Sequence, residues 1–191
     1  MQKKILLDGC SLTYGLGLPA DQTLEHHFLQ CGYEVMNLSR PGKSNHSIAL
    51  DIYNNIDYAD ILVVGWTFSA RWHVRYRQQD IDLLPTREHL ELPHALDSEG
   101  VEKSYQELHK ALYSLFDSTH WDQTSNMLVD NTAALAAQRM KKIVFFSFES
   151  RSTQCAIYRP HVMSSHRLPC GHLNQAGTIN LFEKLTAIIE Q

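Results

Sequence analysis

The sequence predicts a three-layer α/β/α fold of the flavodoxin-like kind, with a parallel sheet of four to five strands between two layers of helices. Short apolar runs alternate along the chain with amphipathic segments of helical period. One run, residues 60–65, contains Ile-Leu-Val-Val without a polar interruption, as is typical of a strand buried on both faces. Strands that alternate with helices favour a parallel sheet with helical crossovers.

The first half of the chain contains two strands separated by a short helix. Residues 5–7 form an apolar run that predicts the first strand. Residues 23–29 have a helical pattern, Asp21 is a candidate N-cap, and Gly32 is suited to end the helix. The second strand is predicted at residues 33–38.

The remaining elements continue the alternation to the end of the sequence. A helix is predicted where Ile48, Ile52 and Ile56 recur at four-residue intervals. The full set of further predictions is a helix at 44–56, a strand at 60–65, a helix at 118–140, a strand at 143–148 and a helix at 174–189.

A chain of 191 residues is expected to form one domain, residues 1–191, with an insertion at about 72–105. The insertion breaks the alternation of strand and helix, and it is polar and long for a connection. It follows the third strand at the carboxyl edge of the sheet. A lid or specificity loop over an active site and a peripheral contact surface are both compatible with this pattern.

Composition excludes several function classes. Apolar residues make up 43% of the chain and charged residues 20%, with a net charge of −4, which does not favour nucleic-acid binding. No apolar run approaches the length of a membrane span, and a cytoplasmic location is expected. The four cysteines have no paired spacing, so we expect reduced thiols. No metal-ligand spacing occurs among the histidines and cysteines, and no metal or cofactor is predicted.

Two residues at opposite ends of the sequence carry the clearest chemical signal. Ser11 follows the first strand directly after Gly9 and Cys10, and His172 precedes the last helix. Loops after the carboxyl ends of parallel strands form the functional edge of such sheets. A serine hydroxyl is a weak nucleophile that needs a neighbouring base, which an imidazole can provide. A helix-capping serine and a surface histidine are the structural alternatives.

Four segments resemble the conserved blocks of the SGNH/GDSL hydrolases. Residues 9–15, Gly-Cys-Ser-Leu-Thr-Tyr-Gly, are similar to the block that carries the nucleophile, and residues 171–177, Gly-His-Leu-Asn-Gln-Ala-Gly, to the histidine block. Residues 37–45 resemble the glycine block, and residues 61–71 occupy the place of the block with the asparagine. The resemblance implies a Ser11 nucleophile and a His172 general base.

The resemblance also implies an oxyanion hole. Its backbone donors would be the N–H groups of Ser11 and Gly42. Thr67 stands where the family has an asparagine side chain, and Asn45 is a possible substitute for that donor. Trp66 and Arg71 are candidates for substrate binding, with the protein core as the alternative place for Trp66.

The position of the family's catalytic aspartate, three residues before the histidine, is occupied by Pro169. A base still needs a group that fixes its tautomer. A backbone carbonyl at residue 168 or 169 is the preferred candidate, and the carboxylates of Asp8 and Glu149 at strand ends are the other two.

The predicted function is therefore a serine esterase or deacylase that acts on an acyl ester of a small molecule or carbohydrate. A noncatalytic binding module and an acyltransferase with the same Ser/His pair are the alternatives. Three arginines lie close together in the sequence: Arg71, Arg75 and Arg77. If they border the site, they would form a positive rim that attracts an acidic substrate. The alternative is a basic loop exposed to solvent.

Overall fold

A computed structural model gives the fold and describes residues 2–76, 79–84, 99–149, 152–161 and 163–191. The strands are β1 (Lys4–Gly9), β2 (Glu34–Asn37), β3 (Ile61–Trp66), β4 (Trp72–Tyr76), β5 (Gln79–Leu83) and β6 (Lys142–Ser147). The α-helices are α1 (Ser11–Tyr14), α2 (Leu24–Gln30), α3 (Asn45–Asn55), α4 (Glu99–Leu115), α5 (Ser118–Gln138) and α6 (Gln175–Glu190). Short 3₁₀ helices cover Ala20–Gln22 and Ser164–His166.

The main sheet has four parallel strands in the order β2-β1-β3-β6, which confirms the predicted fold class. The register pairs Leu6 with Leu62 and Gly9 with Gly65, so the carboxyl ends of the two central strands are level. Tyr158 forms a single parallel bridge with Phe146 and extends the sheet beyond β6.

Two apolar cores cover the two faces of the sheet. Along β3, Ile61 and Val63 face α2 and α6, whereas Leu62 and Val64 face α3 and α5. This alternation follows from the two-residue period of a strand, and it explains why a sheet buried on both faces needs a continuous apolar run. In the described ranges, no helix has both the length and the apolar composition required to cross a membrane.

The insertion begins with secondary structure that the sequence pattern did not predict. β4 and β5 form an antiparallel hairpin, and α4 follows after residues that lie outside the described ranges. Side chains of α4 contact the segments on both sides of the hairpin. Tyr113 Oη donates to the carbonyl of Ala70, before β4, at 2.7 Å, and His109 Nε2 lies 2.8 Å from the carbonyl oxygen of Leu84, after β5. The hairpin is polar and short, so its strands lack the apolar signal of the central sheet.

The helix caps differ from the prediction at one position. Thr23, not Asp21, is the N-cap of α2, and its hydroxyl accepts a hydrogen bond from the N–H of His26 at 3.3 Å. Asp21 belongs instead to the preceding 3₁₀ helix. Ser44 caps α3 and Asn174 caps α6 in the same way as Thr23.

Candidate active site

Ser11 is placed by close packing between α1 and the carboxyl edge of the sheet. It is the first residue of α1 and is 8% exposed. A Cβ atom on either Gly9 or Gly65 would collide with the side chain of Thr13. These two paired glycines therefore let α1 lie directly against the strand ends, with Ser11 at the edge. As the first helical residue, Ser11 has a backbone N–H that no helical carbonyl can accept.

The glycine turn after β2 lies at the same edge. The carbonyl of Arg40 accepts a hydrogen bond from the N–H of Lys43 at 3.4 Å, and Gly42 has a φ of 79°. Proline followed by a glycine of positive φ is the pattern of a type II turn, in which the N–H of the glycine is outside the turn's own hydrogen bond. The turn's own hydrogen bond therefore does not use the N–H of Gly42, which stays a candidate donor to a ligand.

A tight loop holds His172 before α6. The N–H of Leu168 donates to the carbonyl of His172 at 2.7 Å, and the N–H of Gly171 donates to the carbonyl of Leu168 at 2.8 Å. Gly171 has a φ of 86°, a left-handed conformation that glycine adopts without strain. The loop is fixed to the helix by Asn174, whose side chain accepts from the N–H of Gly177 at 3.0 Å.

The partner of the His172 ring is a thiol. Nδ1 of His172 lies 3.3 Å from Sγ of Cys170, and within the described part of the chain no hydrogen bond joins His172 to Ser11. The carbonyl of Leu168, one predicted partner, accepts from Gly171 instead. Burial lowers the pKa of His172 below its usual value, and the positive charges of Arg71 and Arg167 lower it further.

Asp8 does not orient His172. Its side chain is fully buried and accepts hydrogen bonds from the Lys43 ammonium group and from the N–H of Gly9. Its second oxygen, Oδ2, has no hydrogen-bond partner among the residues that the structure describes. Burial raises the pKa of the Asp8 carboxyl to about 7 although the neighbouring Lys43 charge opposes this shift. The proposal of Asp8 as the acid of a triad is therefore replaced by a structural ion pair.

Lys43 is the central residue of this buried network, and the sequence reasoning assigned it no role. Its ammonium group also contacts the Asp51 carboxylate at 2.5 Å and the carbonyl oxygen of Leu38 at 2.9 Å. These contacts join the ends of β1 and β2 to α3 directly behind Gly42. A lysine beside a Pro-Gly turn and an aspartate at a strand end were the available signals, but their pairing spans 35 residues.

The other candidate acid and the candidate donor Asn45 also have defined contacts, and Thr67 takes part through its backbone. Oε2 of Glu149 accepts a hydrogen bond from the N–H of Ser69 at 3.0 Å. Oδ1 of Asn45 accepts from the Thr67 N–H at 2.9 Å, and its amide nitrogen donates to the Thr67 carbonyl at 3.0 Å and to Ser125 Oγ at 2.7 Å. Both amide hydrogens of Asn45 are used, so Asn45 fixes the loop after β3 instead of donating to an oxyanion.

The two predicted substrate-binding residues lie in different environments. Trp66 is 2% exposed and packs edge-to-face on Phe145, so it lies in the core, which was one of the two places the sequence left open for it. Arg71 is partly exposed, and its Nη1 donates to the carbonyl of Lys43 at 3.3 Å, next to the glycine turn. The side chain of Arg75 and all of Arg77 lie outside the described residues.

The hairpin supplies a further residue that the sequence reasoning missed. Asp82 accepts hydrogen bonds from the N–H of Ser44 at 3.0 Å, from Ser47 Oγ at 2.7 Å and from Arg40 Nη2 at 2.7 Å. Burial favours a higher pKa for Asp82, but hydrogen bonds from His73, Ser44 and Ser47 and the charge of Arg40 hold it well below its usual value. The described part of the insertion thus lies against the glycine turn.

A groove of about 570 Å³ opens beside the far end of α1. Its lining includes Tyr14, Leu18 and Leu29, together with the acidic side chains of Asp21 and Glu25. Ser11 is not part of this lining. His172 is not part of it either, so both candidate catalytic residues lie outside the groove.

Comparisons with known proteins establish the fold. Neither a family model nor a curated protein matches the sequence. The solved esterase EstA from Pseudoalteromonas sp., inhibited by monoethylphosphonate, matches with a TM-score of 0.55 and 8% identity, over 99% of this chain and 97% of EstA. A GDSL-like lipase from Bacteroides thetaiotaomicron matches over 98% of this chain and 88% of its own, with 13% identity and a TM-score of 0.40. Together with the sheet order, the first comparison shows that the chain has the three-layer fold of the esterase EstA.

Proposed function

We propose that the protein is a divergent SGNH/GDSL-type serine hydrolase that cleaves an acyl ester of a small molecule or carbohydrate through an acyl-serine intermediate. The observation that carries this proposal is the position of Ser11 directly after β1, beside the Gly42 turn, which is joined to the end of β1 by a hydrogen bond from the N–H of Arg40 to the carbonyl of Gly9 at 3.2 Å. Arg71, which donates to the carbonyl of Lys43 in this turn, also acts electrostatically on His172. The fold shared with a solved esterase supports it.

In this mechanism Ser11 Oγ attacks the acyl carbonyl carbon while Nε2 of His172 takes the hydroxyl proton. The carbonyl oxygen becomes an oxyanion that receives hydrogen bonds from the N–H groups of Ser11 and Gly42, and each such donor typically contributes about 3 kcal/mol. Collapse expels the alcohol, which takes the proton from His172. Water then attacks the acyl-serine and gives a proton to His172, and collapse of this second intermediate releases the carboxylic acid while His172 returns the proton to Ser11 Oγ. The nucleophile–base hydrogen bond must form in the reacting complex, and such bonds commonly tighten there.

Cys170 has the role of orienting the base in this proposal. Nε2 can accept the Ser11 proton only if the proton of the neutral ring is on Nδ1. The Cys170 sulfur, 3.3 Å from Nδ1, is positioned to accept that N–H. It stands beside Pro169, which replaces the family's aspartate.

Two other functions are the alternatives, and a specific observation favours the first of them. A noncatalytic binding module is favoured by the lack of a Ser11–His172 hydrogen bond in the described residues and by the replacement of the aspartate. An acyltransferase would use the same acyl-serine and differ only in the acceptor, an alcohol in place of water.

The first test compares Ser11→Ala with the wild-type chain. A fluorophosphonate probe should label the wild type and not Ser11→Ala, and turnover of aryl esters should fall at least a thousandfold because the nucleophile is lost. Ser114→Ala removes an exposed hydroxyl on α4 and serves as the control, with labelling retained. Equal labelling of the wild type and Ser11→Ala would overturn the assignment. Labelling of neither protein would favour the binding module.

A further inference from the structure

Two arginines are fixed to the backbone beside the proposed catalytic groups. Arg71 donates to the carbonyl of Lys43, the residue after Gly42, at 3.3 Å. Arg167 donates to the carbonyl of Gly171, the residue before His172. The guanidinium groups thus come from two separate loops, one after β3 and one before α6, and each is held next to a residue of the proposed site.

Neither guanidinium is neutralised by a carboxylate within the described residues. Other arginines of the chain are paired there, since Arg40 contacts Asp82 at 2.7 Å and Arg139 contacts Asp57 at 2.6 Å. The carboxylate of Glu149 lies on the same edge, where it accepts from the backbone N–H of Ser69. Burial lowers the pKa of the His172 ring, and the positive charges of the two guanidinium groups lower it further, as expected from the bond of Arg167 to the His172 loop and of Arg71 to the glycine turn.

We propose that Arg71 and Arg167 form an anion-binding subsite beside His172, so that the preferred ester carries a carboxylate or phosphate group. This inference rests on the proposed hydrolase function and names its substrate class. A guanidinium presents planar pairs of N–H donors that match the oxygens of either anion. Each arginine keeps further N–H donors after its single backbone contact. An anion bound here would lie next to the base and the glycine turn.

Three acetate esters with the same leaving-group skeleton test the subsite: 3-acetoxybenzoate, 3-acetoxyphenyl phosphate and the neutral 3-acetoxybenzamide. For the wild type we expect kcat/KM to be at least tenfold higher for one or both anionic esters than for the amide. Arg71→Gln and Arg167→Gln should each lower this ratio about tenfold, the usual effect of losing one charge-assisted hydrogen bond. If kcat/KM is raised for only one of the two anionic esters, the group on that ester, carboxylate or phosphate, is the one the subsite prefers.

The pH profile provides a second readout that a merely structural arginine would not change. Removal of either positive charge should raise the pKa of His172, so the acidic limb of kcat/KM moves to higher pH. Arg139→Gln is the matched control, because Arg139 is paired with Asp57 at the opposite end of the sheet. Arg139→Gln should change neither the ratio of kcat/KM for the anionic and neutral esters nor the position of the acidic limb of the pH profile.

Binding measurements separate failure of this inference from failure of the proposed function. Calorimetric titration of 3-hydroxybenzoate, phenyl phosphate and 3-hydroxybenzamide detects the subsite without turnover. Anion-selective binding that Arg71→Gln and Arg167→Gln abolish would support the subsite even if no ester is cleaved. Ester turnover with equal kcat/KM for charged and neutral substrates would overturn the proposed subsite and would agree with the proposed hydrolase function. Unselective binding by a chain that cleaves no ester would overturn both.

Discussion

At the scale of single residues, the candidate site differs from a Ser-His-Asp triad in the group that orients the histidine. Pro169 removes the carboxylate from the position expected by resemblance, and the structure places the Cys170 sulfur against Nδ1. A thiol is a weaker hydrogen-bond acceptor than a carboxylate. We therefore expect a base that is oriented less firmly than in a triad.

Replacement of Cys170 tests this orientation. Cys170→Ala should lower kcat about fivefold to tenfold with little change in KM, because a weak hydrogen bond of about 1 kcal/mol is lost from the base. Cys170→Ser should retain most of kcat, since its hydroxyl can still accept the N–H. Cys31→Ala removes another exposed thiol and is the control. Full kcat in Cys170→Ala would show that another group, such as a backbone carbonyl, orients His172.

At the scale of elements, the hairpin β4–β5 is a support for the glycine turn. Asp82 of β5 bonds to the Ser44 N–H at the start of α3 and to Arg40 at the start of the turn. An added Cβ on Gly42 would lie 3.5 Å from Leu84 Cδ1, so the end of the hairpin lies directly on the turn. The hairpin thus contributes to the position of a proposed oxyanion donor although it contains no reacting group.

Asp82→Asn should weaken both the fold and catalysis. The amide would point a donor at Arg40 or leave Ser44 without its acceptor, so we expect a loss of about 1–3 kcal/mol in unfolding free energy and a fall in kcat. The Asp82 pKa is held below its unfolded value, so its stabilisation is full above that value and declines as pH falls below it.

Urea unfolding of the wild type and Asp82→Asn at pH 7 and pH 3 measures this effect. The difference between the two proteins should shrink at pH 3. Asp57→Asn, which removes an exposed partner of Arg139, should cost less than about 1 kcal/mol at both pH values. A loss no larger in Asp82→Asn than in this control would contradict the supporting role of the hairpin.

At the scale of the whole molecule, the buried Lys43 joins three elements that are distant in sequence. It contacts Asp8 of β1, Asp51 of α3 and the carbonyl after β2. A buried ion pair is not in itself a gain in stability, but removal of one partner leaves an uncompensated charge. The network therefore couples the glycine turn to β1, to the end of β2 and to α3.

Lys43→Met keeps the apolar stem and removes this charge. We expect a loss of about 3–5 kcal/mol in unfolding free energy near neutral pH, because Asp8 is then buried without a cation. Burial keeps the folded pKa of Asp8 above its unfolded value, so ionised Asp8 costs stability increasingly as pH rises. The deficit should be larger at pH 8 than at pH 5.

Urea unfolding at these two pH values measures the deficit. Lys4→Met, which breaks the exposed pair with Glu34, is the matched control and should change stability by less than about 1 kcal/mol. The double variant Asp8→Asn/Lys43→Met should recover part of the loss. A deficit independent of pH, or no recovery in the double variant, would argue that packing of the stem matters more than charge.

The central sheet could be predicted from sequence, whereas the insertion could not. Residues 61–64 indicate a buried strand because each of them packs into one of the two cores. The hairpin β4–β5 and α4 lack such a signal, since their contacts are mainly polar and with partners far along the chain. Trp66 was ambiguous for a related reason: sequence shows an aromatic at a strand end, but only packing on Phe145 places it in the core.

The sequence by itself determined the three-layer fold and the places of Ser11 directly after the first strand and of His172 before the last helix, because periodicity and turn residues are local properties. Only the tertiary structure decided which groups surround them. It paired Asp8 with Lys43, Asn45 with Thr67 and Cys170 with His172, and it fixed Arg71 and Arg167 beside the site. The physical reason is that charge pairing and hydrogen bonding depend on distances in space, and the folded topology sets those distances for residues that are far apart in sequence.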